Sequence, residues 1–476
     1  MALAADPLPD PKLPLAVDLD GTLIRGDLFI EAMLRLLVEK PWKLPVLLMW
    51  LLRGRAYAKA RLAAEFPPDV AHLPYDVRVV EWLRIESASG RTIVLATASD
   101  RRAAQAVADH LGLFDRVFAS DGATNLKSRR KGQALAAAFP EGFCYAGNEA
   151  ADLKVWRASA QAVVANAPRS FTRTVERRHT VERAFHAEHH WFEALVRALR
   201  PQHWAKNILV FVPLLAGQGW DDVIGWTQSF GAFMALCFVA SAQYLVNDAA
   251  DIPADRRHPT KHKRPFASGA LSPVVGLPVS AAMFATGLWF ASLAHVLPLV
   301  TLYVVVAGLY TFWLKRVTLV DVFVLASLYM LRMVVGGEAS GYFPSAWLLA
   351  FASFFFLSLA LVKRAAEVDT MKADLKHRGY RAGDGPMLKR FGVAAGMISA
   401  LLLALYLQQP ENLARYAEPA FLWALPAVVT FWLARVWMKV ERGEMHDDPL
   451  MFAVKDKMSW LVFGLGAAAF VAGALA

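Results

Sequence analysis

Apolar positions along this chain follow two regimes that meet near residue 200. Before that point, apolar runs are short and alternate with charged stretches. After it, long apolar runs dominate. Short runs bounded by turn residues predict buried strands, and runs near twenty residues predict membrane spans. Leu13 to Asp18 (LPLAVD), Thr92–Thr97 (TIVLAT) and Phe143–Gly147 (FCYAG) read as strands, with helical patterns such as Arg101 to Leu111 between them. This alternation predicts an α/β, Rossmann-like domain with a parallel sheet and functional residues at its strand C-termini. Residues 29–80 after the first strand read as a helical cap. The cap's run Leu44–Leu52 (LPVLLMWLL) is too short to cross a bilayer and reads as a cap surface that touches the membrane.

The second regime predicts about nine spans, at 207–220, 226–246, 277–293, 297–314, 318–337, 345–363, 390–408, 418–437 and 457–475. They make residues 199–476 an all-α, polytopic membrane domain. Most positive charge falls in every second connection: Arg256 to Arg264, Lys315 with Arg316, Lys363 to Arg381, and Lys439 to Lys457. Cytoplasmic loops collect Lys and Arg. These loops and the N-terminal domain are therefore expected on the cytoplasmic side of the inner membrane. Residues 169–198, rich in Arg and His up to His189 and His190, read as a basic connector near anionic headgroups, which leaves 1–168 as the soluble domain.

Composition agrees with a chain partly in lipid: 56% of residues are hydrophobic and only 19% charged. The net charge of +10, gathered in loops, suits anionic lipid and phosphorylated substrates, and no nucleic acid partner is expected. Cys144 and Cys237 lie far apart, one in each half, so neither a zinc cluster nor a disulfide framework is expected. The N-terminus lacks a basic start followed by an apolar core, and no signal peptide is expected.

Candidate chemistry appears in both halves. In the first, Asp18-Leu19-Asp20-Gly21-Thr22 directly follows a strand, and its paired carboxylates suit a nucleophile and an acid/base. Thr97 ends the second strand, where its hydroxyl can hold a phosphate oxygen. Lys131, in Lys131-Gly132-Gln133-Ala134-Leu135, can neutralise a phosphoryl group, with Lys127 as its competitor. Gly147-Asn148-Glu149-Ala150-Ala151-Asp152 offers oxygen ligands for Mg2+. Taken in this order, the set resembles the haloacid dehalogenase (HAD) superfamily of phosphatases over roughly residues 12–165. The resemblance implies that Asp18 forms an aspartyl-phosphate and Asp20 protonates the leaving oxygen. It also implies that Asp18, Asn148 and Asp152 hold Mg2+. Asn148 departs from the pattern, since the family usually has an acid there.

In the second half, Asn247-Asp248-Ala249-Ala250-Asp251-Ile252-Pro253-Ala254-Asp255 spaces acids at i, i+3 and i+7, on one helical face. Such carboxylates repel one another unless a cation lies between them, and Mg2+ bridging to a diphosphate is the natural partner. Arg256, Arg257, Lys261, Lys263 and Arg264 follow and suit phosphate. This NDxxDxxxD pattern after the second span resembles the UbiA prenyltransferase superfamily over about residues 195–476. Members ionise a prenyl diphosphate with Mg2+ and usually carry a second Asp motif after the sixth span. Here that place reads Lys363-Arg364-Ala365-Ala366-Glu367, then Asp369, Asp374 and Arg378-Gly379-Tyr380, so basic groups replace the second acidic cluster.

The pattern is similar to the decaprenyl-phosphate phosphoribosyltransferase branch. Leu199-Arg200-Pro201 with Trp204-Ala205-Lys206-Asn207, Asp255 to Lys261 with Arg264-Pro265, Tyr310 with Leu314-Lys315, Asp321, and Lys363-Arg364 with Glu367 carry that likeness. It implies that phosphoribosyl diphosphate binds through Mg2+ at Asp248, Asp251 and Asp255, and that a polyprenyl phosphate attacks the anomeric carbon. Lys206, Asn207, Asn247, Lys261, Arg264, Tyr310, Lys315, Arg364 and Glu367 are then expected to line the substrates. The first half is expected to remove the 5-phosphate of the product. Two alternatives stay open: a prenyltransferase joining a prenyl diphosphate to an aromatic or other small acceptor, and a non-catalytic lipid or phosphate binder. Prenyl length and a homo-oligomeric state are also left open.

Overall fold

The computed structural model describes residues 12–187, 191–370, 379–414, 416–445 and 448–475. The expected absence of a signal peptide, His189 and His190 of the connector, and Asp374 with Arg378 lie outside the described residues.

The N-terminal half builds a six-stranded sheet: β1 Leu15–Val17, β2 Ile93–Asp100, β3 Arg116–Ser120, β4 Cys144–Gly147, β5 Gln161–Ala167 and β6 Val181–His186. Its order is β3-β2-β1-β4-β5-β6, with every pair parallel. β1 is central and all three of its residues are buried, which is why it reads as an unbroken apolar run. Residues of alternate parity feed two cores: Leu15, Val17, Cys144 and Ala146 face one side, and Ala16, Tyr145 and Val164 face the other. Part of the expected connector belongs to this sheet. Residues 169–198 include helix Arg169–Glu176, edge strand β6 and the start of helix Trp191–Leu199. Val181 and Phe185 pack on the sheet's cores, while the intervening charges stay at the surface.

The cap leaves the sheet after β1 as helices α1 Leu28–Glu39, α2 Leu44–Leu52 and α3 Arg55–Glu65. Asp27 starts α1 by accepting from the backbone amides of Phe29 and Ile30. Ala32, Leu36, Leu47, Leu62 and Phe66 give the cap a small core of its own.

The chain forms two compact units. The N-terminal domain up to Leu199 forms one unit together with Tyr244–Val279, and Arg200–Gln243 with Ser280–Ala476 forms the other. The Asp-rich segment thus belongs to the unit that holds the α/β domain.

The expected nine spans are corrected to seven candidates among the described residues: Val223–Ala250, Pro273–Leu293, Val320–Ser340, Ala346–Asp369, Gly385–Leu407, Pro419–Glu441 and Lys457–Ala474. The expected span at 207–220 is instead a 3-10 helix, Pro201–Phe211, followed by the five-residue helix Val212–Ala216. Pro213, Gly217 and Gly219 interrupt it. The span expected at 297–314 is helix Leu297–Phe312, whose 16 residues rise only about 24 Å against a hydrocarbon core of about 30 Å.

Candidate functional site

In the α/β domain the expected residues converge at the C-terminal ends of β1, β2 and β4. Asp18 is buried just past β1 and accepts from the Leu19 amide at 2.9 Å. Lys131 lies 2.9 Å from the same oxygen. Lys131 also donates to the Tyr145 hydroxyl at 2.9 Å, and that hydroxyl donates to Asp152 at 2.8 Å. The other Asp152 oxygen accepts from the amides of Asn148 and Glu149. Lys131 is 3% exposed, whereas Lys127 is exposed and pairs with Glu149 at 3.3 Å. Geometry therefore brings Lys131, and not Lys127, to Asp18.

Asp20 accepts from the Leu28 amide at 2.9 Å and from the Ser99 hydroxyl. Burial, reinforced by Asp27, pushes its carboxyl up to about 7. A proton held near neutral pH is what an acid/base needs. Burial also raises Asp18, against the pull of Lys131. Thr97 is fully buried and accepts from the Ser99 amide at 3.0 Å. Asn148 accepts from the Thr22 hydroxyl at 3.3 Å and lies directly over Gly21. Gly21 has φ +78°, and a Cβ there would sit 2.2 Å from the Asn148 amide nitrogen. Glycine is thus required twice at this position, by backbone conformation and by space.

In the Asp-rich segment, Asp248 lies in the last turn of helix Val223–Ala250, Asp251 sits at the break, and Asp255 lies on the six-residue helix Ile252–Arg257. Pro253 opens the second helix, yet backbone bonds from Asp251 to Asn247 and from Asp255 to Asp251 keep the turn running. The acids therefore keep one face although the helix is interrupted. Asp248 and Asp255 are 1% and 3% exposed. One nitrogen of Arg264 donates to both, at 3.1 and 2.8 Å. Burial raises Asp255, and Arg264 opposes that rise. Arg264 neutralises both carboxylates, but its side chain is 25% exposed and free to yield them, and the all-oxygen donor set fits a hard divalent ion. Among the described residues no three His, Cys, Asp or Glu side chains are grouped to hold a metal by themselves. Mg2+ needs only one or two carboxylates when phosphate oxygens complete its shell. Asn247 is half-buried beside Asp248, and Lys261 opens the 3-10 turn Lys261–Lys263.

Arg256 and Arg257 have other partners. Arg256 makes a two-pronged pair with Glu31 of the cap, both contacts at 2.7 Å. Arg257 reaches Asp69 at 2.7 Å.

The second unit holds the remaining candidates. Lys206 pairs with Asp448 at 2.8 Å, and Lys363 approaches the same carboxylate at 3.6 Å. Asn207 is buried between Cys237, to which it donates at 3.2 Å, and Arg332, from which it accepts at 2.8 Å. Arg332 also donates to the Tyr303 hydroxyl at 2.8 Å. Arg364 is fully buried, 2.5 Å from Asp321, and pairs with Glu367. Tyr380 donates to the other Asp321 oxygen at 2.5 Å. Tyr310 and Lys315 are half-buried at the end of Leu297–Phe312 and in the turn after it.

The sequence pattern of the UbiA prenyltransferase family matches residues 208–463. The chain belongs to that family. This UbiA-family chain is an integral membrane protein and a membrane transferase. It is 38% identical over 470 residues to the uncharacterized protein y4nM of Sinorhizobium fredii, covering 97% of this chain and 91% of that one. The match to y4nM therefore includes the α/β domain. The chain is 33% identical over 284 residues to the decaprenyl-phosphate phosphoribosyltransferase of Mycolicibacterium smegmatis, covering 56% of this chain and 88% of that one. A UbiA homolog from Archaeoglobus fulgidus, solved bound to DMAPP and Mg2+, aligns at a TM-score of 0.46 and 15% identity, over 58% of this chain and 98% of that one.

Sequence reasoning missed several residues of these clusters. Tyr145 had a signal, because alternation within FCYAG sets it on the face opposite Cys144 and Ala146. Ser99 stands two residues past Thr97 in the same strand. Arg332 is a charge inside an apolar run, which is itself a functional signal. Asp448, Glu31 and Asp69 carried none, since their partners are remote in sequence.

Proposed function

We propose that this UbiA-family protein transfers a phosphoribosyl group from phosphoribosyl diphosphate to a polyprenyl phosphate with Mg2+. Its HAD-like N-terminal domain then removes the 5-phosphate of the product. The observation that carries this reading is Arg364. It is buried against Asp321 and Glu367, where a prenyl-diphosphate enzyme of the family is expected to carry a second Asp motif. A protein cation already neutralises these carboxylates, so they call for no second Mg2+. One acidic loop suits one diphosphate, while Lys206 and Lys315 suit a further anionic substrate; Arg364, fully buried on Asp321 and Glu367, supports that site without touching the substrate. The name of the M. smegmatis relative supports the same substrate classes.

In the transfer, an oxygen of the polyprenyl phosphate bonds to the ribose anomeric carbon. The bond from that carbon to the diphosphate breaks, and its electron pair leaves with the diphosphate. Mg2+, when bound with the donor, would supply positive charge to that leaving group. Asp248, Asp251 and Asp255 hold the metal-bearing end, and Arg264 turns from the carboxylates to phosphate oxygens. In the HAD-like domain, Asp18 attacks phosphorus and Asp20 protonates the departing ribose oxygen. Water then splits the aspartyl-phosphate to inorganic phosphate. Lys131 and Thr97 hold the phosphoryl oxygens, and Asp18, Asn148 and Asp152 offer oxygens to Mg2+. Fusion keeps the second site supplied by effective concentration, and the match of y4nM across both parts supports a joint task. The basic loop after Val223–Ala250 supports a cytoplasmic placement of this end at the inner membrane.

The test is the mass of the lipid formed by the full chain with phosphoribosyl diphosphate, polyprenyl phosphate and Mg2+. The expected product is a polyprenyl-phosphate ribose without a 5-phosphate. A product that keeps the 5-phosphate removes the phosphatase step. Consumption of prenyl diphosphate without phosphoribosyl transfer favours the aromatic prenyltransferase instead.

A further inference from the structure

Asp255 and Arg256 are neighbours on a helix of only six residues, Ile252–Arg257, and they serve different partners. Asp255 meets Arg264, which also holds Asp248. Arg256 meets Glu31 on α1 of the cap. We infer that Glu31, assisted by Asp69, is a positioning residue for diphosphate binding: the cap of the N-terminal domain holds the Asp-rich loop in its binding conformation. This rests on the reading that the Asp-rich loop binds a diphosphate.

All three nitrogen positions of Arg256 are used. Two donate to the two oxygens of Glu31, each at 2.7 Å, and Nε donates to the Ala267 carbonyl at 3.0 Å. The side chains are 8% and 14% exposed, so water does little to screen the pair. The planar guanidinium thus ties the cap, the short helix and the far side of the loop together. Arg257 adds a more exposed pair with Asp69.

Backbone contacts tighten the same junction. Gly269 has φ +74°, and a Cβ there would lie 2.4 Å from the Arg25 carbonyl oxygen. A Cβ on Gly26 would lie 2.4 Å from Glu31 and 3.4 Å from Arg256. Leu34, one turn after Glu31 on α1, packs on the cluster formed by Leu245, Ala249, Ile252, Phe266 and Leu271. Apolar contact and ion pair therefore share one face of α1. The junction also borders a cavity of about 60 Å³ lined by Phe29, Glu31, Lys59, Ser99, Pro253 and Arg256 among others.

The junction links the two acidic centres through direct contacts. Asp20 holds the Leu28 amide at the start of α1, and Glu31 on that helix holds Arg256. Arg256 adjoins Asp255, which holds Arg264. A short helix pinned at Arg256 cannot rotate without moving Asp255, so the cap sets the spacing of the carboxylates that share the cation.

The experiment uses the full chain in nanodiscs, with Mg2+ and inorganic diphosphate as the binding probe and phosphoribosyl transfer as the kinetic one. Glu31→Gln is expected to weaken Mg2+–diphosphate binding and raise the donor KM by roughly tenfold or more, with a much smaller change in kcat. The conservative Glu31→Asp, which keeps a carboxylate for Arg256, is expected to recover most of the loss. Unchanged binding and donor KM in folded Glu31→Gln overturns the inference. Should that variant fail to fold, a folded Arg256→Lys, which keeps the charge but cannot hold both Glu31 oxygens and the Ala267 carbonyl, overturns the inference if its binding and donor KM are unchanged. Wild-type chain that binds diphosphate but transfers no phosphoribosyl group removes the proposed function, while the binding series still decides the role of Glu31. Wild-type chain that binds no diphosphate overturns both.

Discussion

Lys206 and Asp448 form an ion pair of 2.8 Å across 242 positions of sequence. Burial opposes the charge on Asp448, yet Lys206 and Lys363 outweigh it and hold the carboxyl down at about 2. A carboxyl lowered on folding adds stability above its ordinary pKa, and that stability is lost as pH falls toward the folded value. The window here runs from 3.8 down to about 2. Asp448→Asn is expected to destabilise the protein by roughly 2 kcal/mol near neutral pH, with the gap closing as pH falls through that window. Thermal unfolding of both chains across pH measures this. A gap that persists at about pH 2 would mean the ion pair is not its source.

The two acidic centres are expected to fail separately. Asp20→Asn should cut phosphate release by about 10² to 10⁴-fold and leave lipid transfer intact. Asp251→Ala should do the reverse, removing transfer while a small phosphate ester is still hydrolysed. Parallel assays of free phosphate and lipid product check both, and loss of transfer in Asp20→Asn contradicts the division of labour.

Lys131 and Lys127 are four residues apart but differ in reach. Lys131→Gln leaves Asp18 without its buried cation, and phosphate release should fall by about 10²-fold or more. Lys127→Gln removes only an exposed pair with Glu149 and should stay within about threefold of wild type. Equal effects of the two substitutions would contradict the geometry.

Asn148 supplies an oxygen but no charge. Asn148→Asp keeps the shape above Gly21 and adds a carboxylate for a hard cation. The Mg2+ concentration for half-maximal phosphate release should fall several-fold, while chelation abolishes release in both chains. An unchanged Mg2+ requirement would place Asn148 outside the metal's reach.

Much of this was legible beforehand because the signals are local. A three-residue buried run ending at Asp18 marks a central parallel strand, and Asp18-Leu19-Asp20-Gly21 marks its loop by spacing alone. The spans were overcounted for an equally local reason. Apolar composition at 207–220 hid the one proline and two glycines that break that stretch into a 3-10 helix and a short α-helix. Leu297–Phe312 is apolar throughout but short.

By itself, the sequence determined the parallel α/β sheet, the UbiA-like membrane half and both acidic motifs. These depend on periodicity and on residues a few positions apart, which any single chain displays. The tertiary structure alone decided which charges meet. It gave Lys131 to Asp18, Asp448 to Lys206, Arg264 to the gap between Asp248 and Asp255, and Arg256 to Glu31. A run of basic residues looks uniform in sequence because charge carries no direction along the chain. Folding separates its members, since a buried cation is held only where a carboxylate has been buried beside it.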